Sequence, residues 1–147
     1  MSKTKCLYHI VFGTKHREYT LDPEYVEGLY RYIWGALHNH QCFLLRINSM
    51  PDHVHMLIDL NPKIALSDLM ESLKATSSGW LKHDGHFPLF KGWGRGYFAE
   101  SVSPDNKDGV IEYIKGQQLH HGIEKYVEEM RRLYRRNGFE WYDNELQ

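Results

Sequence analysis

The stretch Pro51-Asp52-His53-Val54-His55-Met56-Leu57-Ile58 is what most restricts how this chain can fold. Read as a β-strand, its side chains alternate between faces with a period of two. Val54, Met56 and Ile58 then share one face, and that face demands a hydrophobic core. His53 and His55 share the other, which leaves two imidazoles side by side, well placed to hold a metal ion. A sheet with this strand at its centre needs a cover on both sides.

The surrounding pattern supplies those covers. Lys5 to Thr14 reads as a first strand, with Tyr8, Ile10 and Phe12 alternating with Leu7, His9 and Val11. Asp22-Pro23 has the form of an N-cap followed by proline at the first helical position, and Val26, Leu29, Ile33 and Leu37 form an apolar stripe, so a helix is expected over 23–40. Phe43 to Ser49 and His53 to Leu60 are strands around a tight turn at Met50-Pro51-Asp52, an expected hairpin. Ser67 is the expected cap of a second helix carrying Leu69, Met70, Leu73, Trp80 and Leu81. A glycine- and aromatic-rich loop precedes a fourth strand over 96–103. Ser103-Pro104 starts a third helix running to about His121, and a last helix covers 124–137.

This order predicts an α+β class: a ferredoxin-like split β-α-β arrangement with a four-stranded antiparallel sheet. Strands one and three are central, the first two helices lie on one face, and the third helix, which carries Tyr113, covers the other. The 147 residues read as one domain, with a core over about 5–122 and a C-terminal helix and tail over about 123–147. No apolar run is long enough to span a bilayer, the N-terminus has no signal-peptide core, and Cys6 and Cys42 fit free thiols, so a cytoplasmic protein is expected. A formal net charge of −1 argues against a protein that coats long duplex DNA, where neutralised phosphates supply most of the affinity. It leaves room for a focused contact with a structured or single strand.

Tyr113 and Gln117, four apart in the third helix, share a face. Imidazole suits Zn, Mn, Fe, Ni or Cu, and an amide oxygen suits harder cations such as Mg and Mn. A set of His53, His55 and Gln117 leaves open positions for water and a phosphate oxygen. Beside a metal-bound phosphodiester a tyrosine becomes a competent nucleophile, and its attack gives a covalent phosphotyrosine that conserves the bond for resealing. A hydrolase has no need of the tyrosine; a strand-transfer enzyme does.

On these residues the chain resembles the single-tyrosine HUH transposases of small insertion sequences that move as single-stranded DNA. His53-Val54-His55 matches His-hydrophobic-His. The family is also suggested by Tyr8-His9-Ile10-Val11-Phe12 with Thr14-Lys15, Met50-Pro51-Asp52, Leu73-Lys74 with Ser77-Ser78, and Gly96-Tyr97-Phe98 with Ser101. Tyr113-Ile114-Lys115-Gly116-Gln117 is similar to the family's Tyr-x-x-x-Gln, and the similarity runs from about Lys5 to Gln118. The resemblance implies a homodimer in which the tyrosine helix of one subunit completes the site of the other. It implies Mg or Mn as cofactor, binding of DNA hairpins at element ends, and single-strand cleavage to a 5′-phosphotyrosine and a free 3′-OH. Tyr113 is then the nucleophile, and His53, His55 and Gln117 bind the metal. Two rival readings are an inactive or domesticated relative that only binds nucleic-acid hairpins, and a metal-dependent hydrolase using the histidine pair alone.

Candidate DNA contacts are Lys15, Arg17, Lys74, Ser78 and Arg95, with Trp93 either a stacking platform or a core plug. Glu128 and Glu129 precede Arg131, Arg132, Arg135 and Arg136 at helical spacing and read as ordinary helix ion pairs. His120 and His121 are expected to favour a helix end and have no metal role. Gly116, a helix-interior glycine costing about 1 kcal/mol relative to alanine, reads as a hinge or a point of close packing.

Overall fold

A computed structural model of the chain describes residues 2–120, 124–142 and 145. Strands β1 (Leu7–Gly13), β2 (Phe43–Met50), β3 (His53–Asp59) and β4 (Phe98–Val102) form one antiparallel sheet in the order β2-β3-β1-β4. The central strands are β1 and β3, as their apolar character on both faces predicts, and Pro51-Asp52 makes the turn of the β2-β3 hairpin. Helix α1 (Val26–Asn39) links β1 to β2, and α2 (Leu66–Asp84) links β3 to β4. Helices α3 (Lys107–Lys115), α4 (Gln117–His120) and α5 (Tyr126–Arg136) follow.

One sheet face carries the main apolar core. Ile10, Phe12, Val54, Met56 and Ile58 pack against the stripe Val26, Leu29, Ile33 and Leu37 of α1 and against Leu69, Met70, Leu73 and Leu81 of α2. The 3,4,4 spacing along α1 keeps that stripe on one side of the helix. On β2, both Leu44 and Ile47 reach this core although they are three apart. A register shift between Leu44 and Arg46 resolves the mismatch: the extra residue flips the alternation, and Leu45 turns to the opposite face.

The other face has a polar stripe between two apolar patches. At one end Leu7, Leu57 and Val102 meet Ile114 of α3; at the other Val11 and Phe98 meet Tyr126, Met130 and Leu133 of α5. The cover is therefore shared by α3 and α5, where the sequence pattern pointed to the third helix alone. Between the patches lie His9, His53 and His55, each no more than 1% exposed. Gly13 at the end of β1 is what lets α5 settle. A Cβ there would stand 2.9 Å from the Tyr126 hydroxyl and 3.3 Å from the Asp52 carbonyl oxygen, closer than packed atoms allow.

Three local expectations are corrected. Asp22 does not cap α1. Its Oδ1 accepts the Glu24 N–H at 2.9 Å and its carbonyl accepts the Tyr25 N–H at 3.1 Å, a turn of the kind an aspartate side chain stabilises, and the helix begins at Val26. Ser67 lies within the first turn of α2, whose N-cap is Ala65. The third helix is not continuous: it ends at Gly116, and Gln117 opens the short α4. A Cβ on Gly116 would meet its nearest atom, the Glu112 carbonyl oxygen, at 3.4 Å, so close packing does not require the glycine and its place is at a break. His121 lies outside the described residues, and so does the side chain of His120. Among the described residues no helix is long and apolar enough to cross a membrane, and both cysteines are free.

Ile33 is fully buried between α1 and the sheet. Ile33→Ala is expected to lower stability by about 2–5 kcal/mol through lost transfer energy and the cavity left behind, read from the midpoint of a urea titration at unchanged m-value.

Candidate functional site

β3 presents His53 and His55 on the covered face, as the period-two reading requires, and their rings lie 5.2 Å apart. Each is buttressed at Nδ1. His53 Nδ1 is 2.7 Å from Asp52 Oδ1, and His55 Nδ1 is 2.9 Å from His9 Nε2. The Tyr126 ring stacks on His53 at 3.9 Å with the two planes 3° apart. Both Nε2 atoms therefore point away from the sheet at a single acceptor.

That acceptor is Glu129 of α5, which is fully buried. Its Oε1 is 3.1 Å from His55 Nε2 and 3.4 Å from His53 Nε2. Its Oε2 accepts the Tyr113 hydroxyl hydrogen and, at 3.2 Å, the Gln117 amide N–H. The helix ion-pair reading of Glu129 is thus corrected. Arg132 pairs with Glu124 at 3.1 Å and donates to the Tyr113 oxygen at 2.8 Å, and Arg136 binds Glu100. Glu129 shares the inward stripe with Tyr126, Met130 and Leu133, and packing of that stripe on the sheet outranks exposed i,i+4 pairing. The signal was present in the sequence as one carboxylate set among apolar residues at spacings of three and four.

Electrostatics agree with the geometry. Burial pushes the His55 pKa down to about 3, against the pull of Glu129, so its ring is neutral. Burial also opposes charge on His53, but Asp52 and Glu129 outweigh it and its pKa is raised. Burial and the Glu129 charge raise the Tyr113 phenol above its ordinary value, against the opposing pull of Arg132.

The donor set fits a divalent cation. One ligand atom each from His53, His55 and Glu129 lies within 4.8 Å of the others. Gln117 is fully buried, and its Oε1 has no hydrogen-bond partner among the described residues. An orphaned acceptor of this kind costs about 1–3 kcal/mol, and a cation in the cluster would satisfy it. Two imidazoles and a carboxylate form a mixed nitrogen and oxygen set of the sort that Mn accepts, with an oxygen that also suits Mg.

Tyr113 and Gln117 reach the site through a latch on β2. Asn48 Nδ2 donates to the Ile114 carbonyl at 2.9 Å and to Gln118 Oε1 at 2.9 Å, while Gln118 Nε2 donates to Asn48 Oδ1 at 2.8 Å. The end of α3 is thereby pinned to the sheet where the helix breaks. Tyr113 meets the histidines of its own chain, its ring 5.8 Å from His55 and 5.9 Å from His9.

The DNA-contact candidates divide. Lys15 and Arg17 are exposed on a short 3-10 turn after β1, with His16 and Arg17 at φ of 58° and 56°. Arg17 and Arg95 line one groove with Thr14, Gly94, Gly96 and Tyr97. Lys74 is not a free cation: its Nζ donates to the Gly94 and Gly96 carbonyls at 2.7 Å each and staples that loop. Ser78 is half-buried on α2 and does not line the groove. Trp93 is a core plug, its ring 4.7 Å from Phe12 and its indole N–H on Ser77 Oγ at 2.9 Å.

Comparison with known proteins follows the same outline. The profile of the family described as transposase IS200 like matches residues 2–117. The transposase for insertion sequence element IS200 of Salmonella typhimurium (strain LT2) is 30% identical over 121 residues, covering 79% of each chain. The ISDra2 transposase TnpA of Deinococcus radiodurans is 26% identical over 117 residues, 75% of this chain and 82% of that one. A REP-associated tyrosine transposase solved with a REP hairpin superposes with a TM-score of 0.60 at 16% identity, covering 85% of this chain and 77% of that one; at that identity the likeness is one of fold. Glu129 and α5 lie beyond residues 2–117, the segment that the family profile matches.

Glu100 on β4 gives a pH test of the site's surroundings. Burial opposes its charge, but His9, Arg136 and Asn137 outweigh it and hold its pKa at about 2 against an ordinary 4.5. A depressed carboxylate contributes stability fully above the ordinary value and loses it as pH falls towards the folded one. The stability difference between the wild type and Glu100→Gln is therefore expected to be constant above pH 4.5 and to shrink from there towards pH 2, measured by urea titration across that range.

Proposed function

The chain belongs to the IS200-like transposase family, and on that premise we propose that it is a metal-dependent single-strand DNA transposase with Tyr113 as nucleophile. The observation that carries this reading is that one buried carboxylate, Glu129, receives the Tyr113 hydroxyl on one oxygen and faces both histidines with the other. His53, His55, Glu129 and Gln117 would hold Mg or Mn. Such a cation, when bound, supplies Lewis-acid charge that polarises the scissile phosphate.

The chain's own residues supply the rest. The Tyr113 oxygen attacks phosphorus while its proton passes to Glu129 Oε2, and the Arg132 guanidinium, donating to that oxygen, stabilises the developing phenolate. The bond from phosphorus to the 3′ oxygen breaks and that oxygen takes a proton from solvent, leaving a 5′-phosphotyrosine and a free 3′-OH. A 3′-OH later attacks the phosphotyrosine and gives its proton to solvent; the bond from phosphorus to the Tyr113 oxygen breaks, and Tyr113 recovers its proton from Glu129. One phosphodiester is exchanged for another, so no external energy source is needed.

Hairpin-marked element ends are the proposed substrate. The hairpin held by the REP-associated relative supports this. Arg17 and Arg95 are proposed to grip the strand beside the site, with the whole chain acting as a single domain on cytoplasmic DNA. The proposed homodimer would exchange between subunits the Tyr113 contact that one chain already makes. Because His53, His55, Gln117 and Glu129 are all 0% exposed, a phosphate reaches them only when the helices covering that face shift. That burial is the one observation favouring the rival reading of a relative that binds hairpins without cutting them.

A covalent-adduct assay separates the two. Labelled single strands from the DNA flanking the gene, incubated with Mg or Mn, are expected to yield a protein-DNA adduct on a denaturing gel. The adduct should vanish with chelator, with Tyr113→Phe and with His55→Ala, and form at least about 100-fold more slowly in Glu129→Gln. A hairpin shift on a native gel with no adduct from any strand would establish the binding-only relative instead. In the same binding assay Arg17→Ala and Arg95→Ala should each weaken affinity and lower the slope of log affinity against log salt by about one.

A further inference from the structure

A cavity of about 540 Å³ opens beside Tyr113, and none of the proposed cation ligands lines it. Its size falls within the roughly 300–1,000 Å³ of small-molecule sites. Three elements make its walls. On α3, Gly109, Val110 and Tyr113 follow Asn106 at spacings of three and four, so all four share one side of the helix. β4 supplies Ser101 and Val102, and the end of α5 supplies Arg136, with Asn137 just after it. The space is kept open by what stands in those walls. Gly109 brings no side chain, and a Cβ there would meet nothing within 4 Å. Arg136 and Asn137 are held by Glu100, whose Oε2 accepts from Arg136 Nη2 at 2.8 Å and from Asn137 Nδ2 at 2.9 Å.

We propose that this cavity holds one unpaired nucleoside of the cleaved strand, adjacent to the scissile phosphate. The inference rests on the reading of Tyr113 as nucleophile. A strand attacked by Tyr113 has to place the nucleosides flanking the reacting phosphate beside that residue. Glu129 and Arg132 of α5 engage the Tyr113 hydroxyl, and the cavity is space that Tyr113 itself walls. The chemistry of the other walls matches a base. Val102 is buried on the sheet and Val110 half-buried on α3, which gives an apolar surface for the flat face of a ring. Ser101 Oγ and the Asn106 side-chain amide have no hydrogen-bond partner among the described residues, and hydroxyls and amides of this kind read the edges of bases. Arg136 is exposed and leaves Nε and Nη1 without a partner among the described residues, a cation for the backbone phosphate beside that base. An unpaired base can turn face and edge into such a pocket, whereas a base stacked in a duplex cannot.

Gly109→Phe fills the cavity from a position where the Cβ is unobstructed. It is expected to slow adduct formation about 10- to 100-fold at subsaturating DNA. Gly35→Phe is the control: the same change in α1, under the opposite sheet face, where a Cβ also meets nothing within 4 Å, should cleave at the wild-type rate. An abasic residue on one side of the scissile phosphate should slow the wild type by a similar factor. It should slow Gly109→Phe no further, because both changes remove one contact. A folded Gly109→Phe with the wild-type rate would overturn the proposal, as would losses that simply add. A readout independent of cleavage is proton-nitrogen NMR of the wild type titrated with each of the four deoxynucleoside 5′-monophosphates. At least one is expected to shift the amides of Ser101, Gly109 and Val110, and Gly109→Phe to abolish the response. Shifts absent from those amides would overturn the proposal, and if Gly109→Phe does not fold this titration decides alone. Shifts at Gly109 with no adduct from any strand would sink the Tyr113 reading and leave the cavity standing as a nucleoside site.

Discussion

A carboxylate buried at the heart of a small protein has to be compensated, and Glu129 is the group around which the covered face is organised. An isolated ionised carboxylate in an apolar interior is prohibitively costly. Here two imidazole edges, a phenol and an amide N–H converge on it. Each of those groups needs Glu129 as much as it needs them, since each is itself buried or half-buried. Such a network is stable only when complete. The same completeness makes it a receptor: a group of acceptors held together by protons is a group that a divalent cation can hold together instead.

The sheet makes this possible by dividing its labour. One face carries the stabilising core between strands and the helices α1 and α2. The other is left free to carry a polar stripe, sealed at one end by α3 and at the other by α5. Because the stripe lies on the central strands β1 and β3, its backbone is held by ladders on both sides. The nucleophile candidate arrives from a less regular part, the broken end of α3, which Asn48 and Gln118 pin to the edge strand β2.

Much of this was legible in the residues. The alternation in His53 to Ile58 predicts a strand with two unlike faces, and the stripes of α1 and α2 predict which face they cover. Tyr113 and Gln117 are flagged by spacing and meet at the site, although the helix breaks between them at Gly116. Glu129 was misjudged because the rule applied to it, pairing at i,i+3 and i,i+4, describes exposed helix faces, whereas the stripe of Tyr126, Met130 and Leu133 puts Glu129 on the buried one. Lys74, one turn from Ser77 and Ser78, looks free in the sequence until the loop that its ammonium staples is folded beside it.

By itself the sequence determined the element order, the unlike faces of β3, and the histidine pair with its tyrosine and glutamine, because these depend on periodicities of two and 3.6 within single segments. Only the tertiary structure decided that Glu129 enters the site, that His9 stands behind His55 with Glu100 behind it, and that Asn48 pins the tyrosine helix. Those contacts join residues 46, 66 and 74 positions apart. They follow from strand register and from the choice of which helix seals which end of the sheet. Register and docking are settled by the burial of the whole apolar surface at once, and no short segment carries that information.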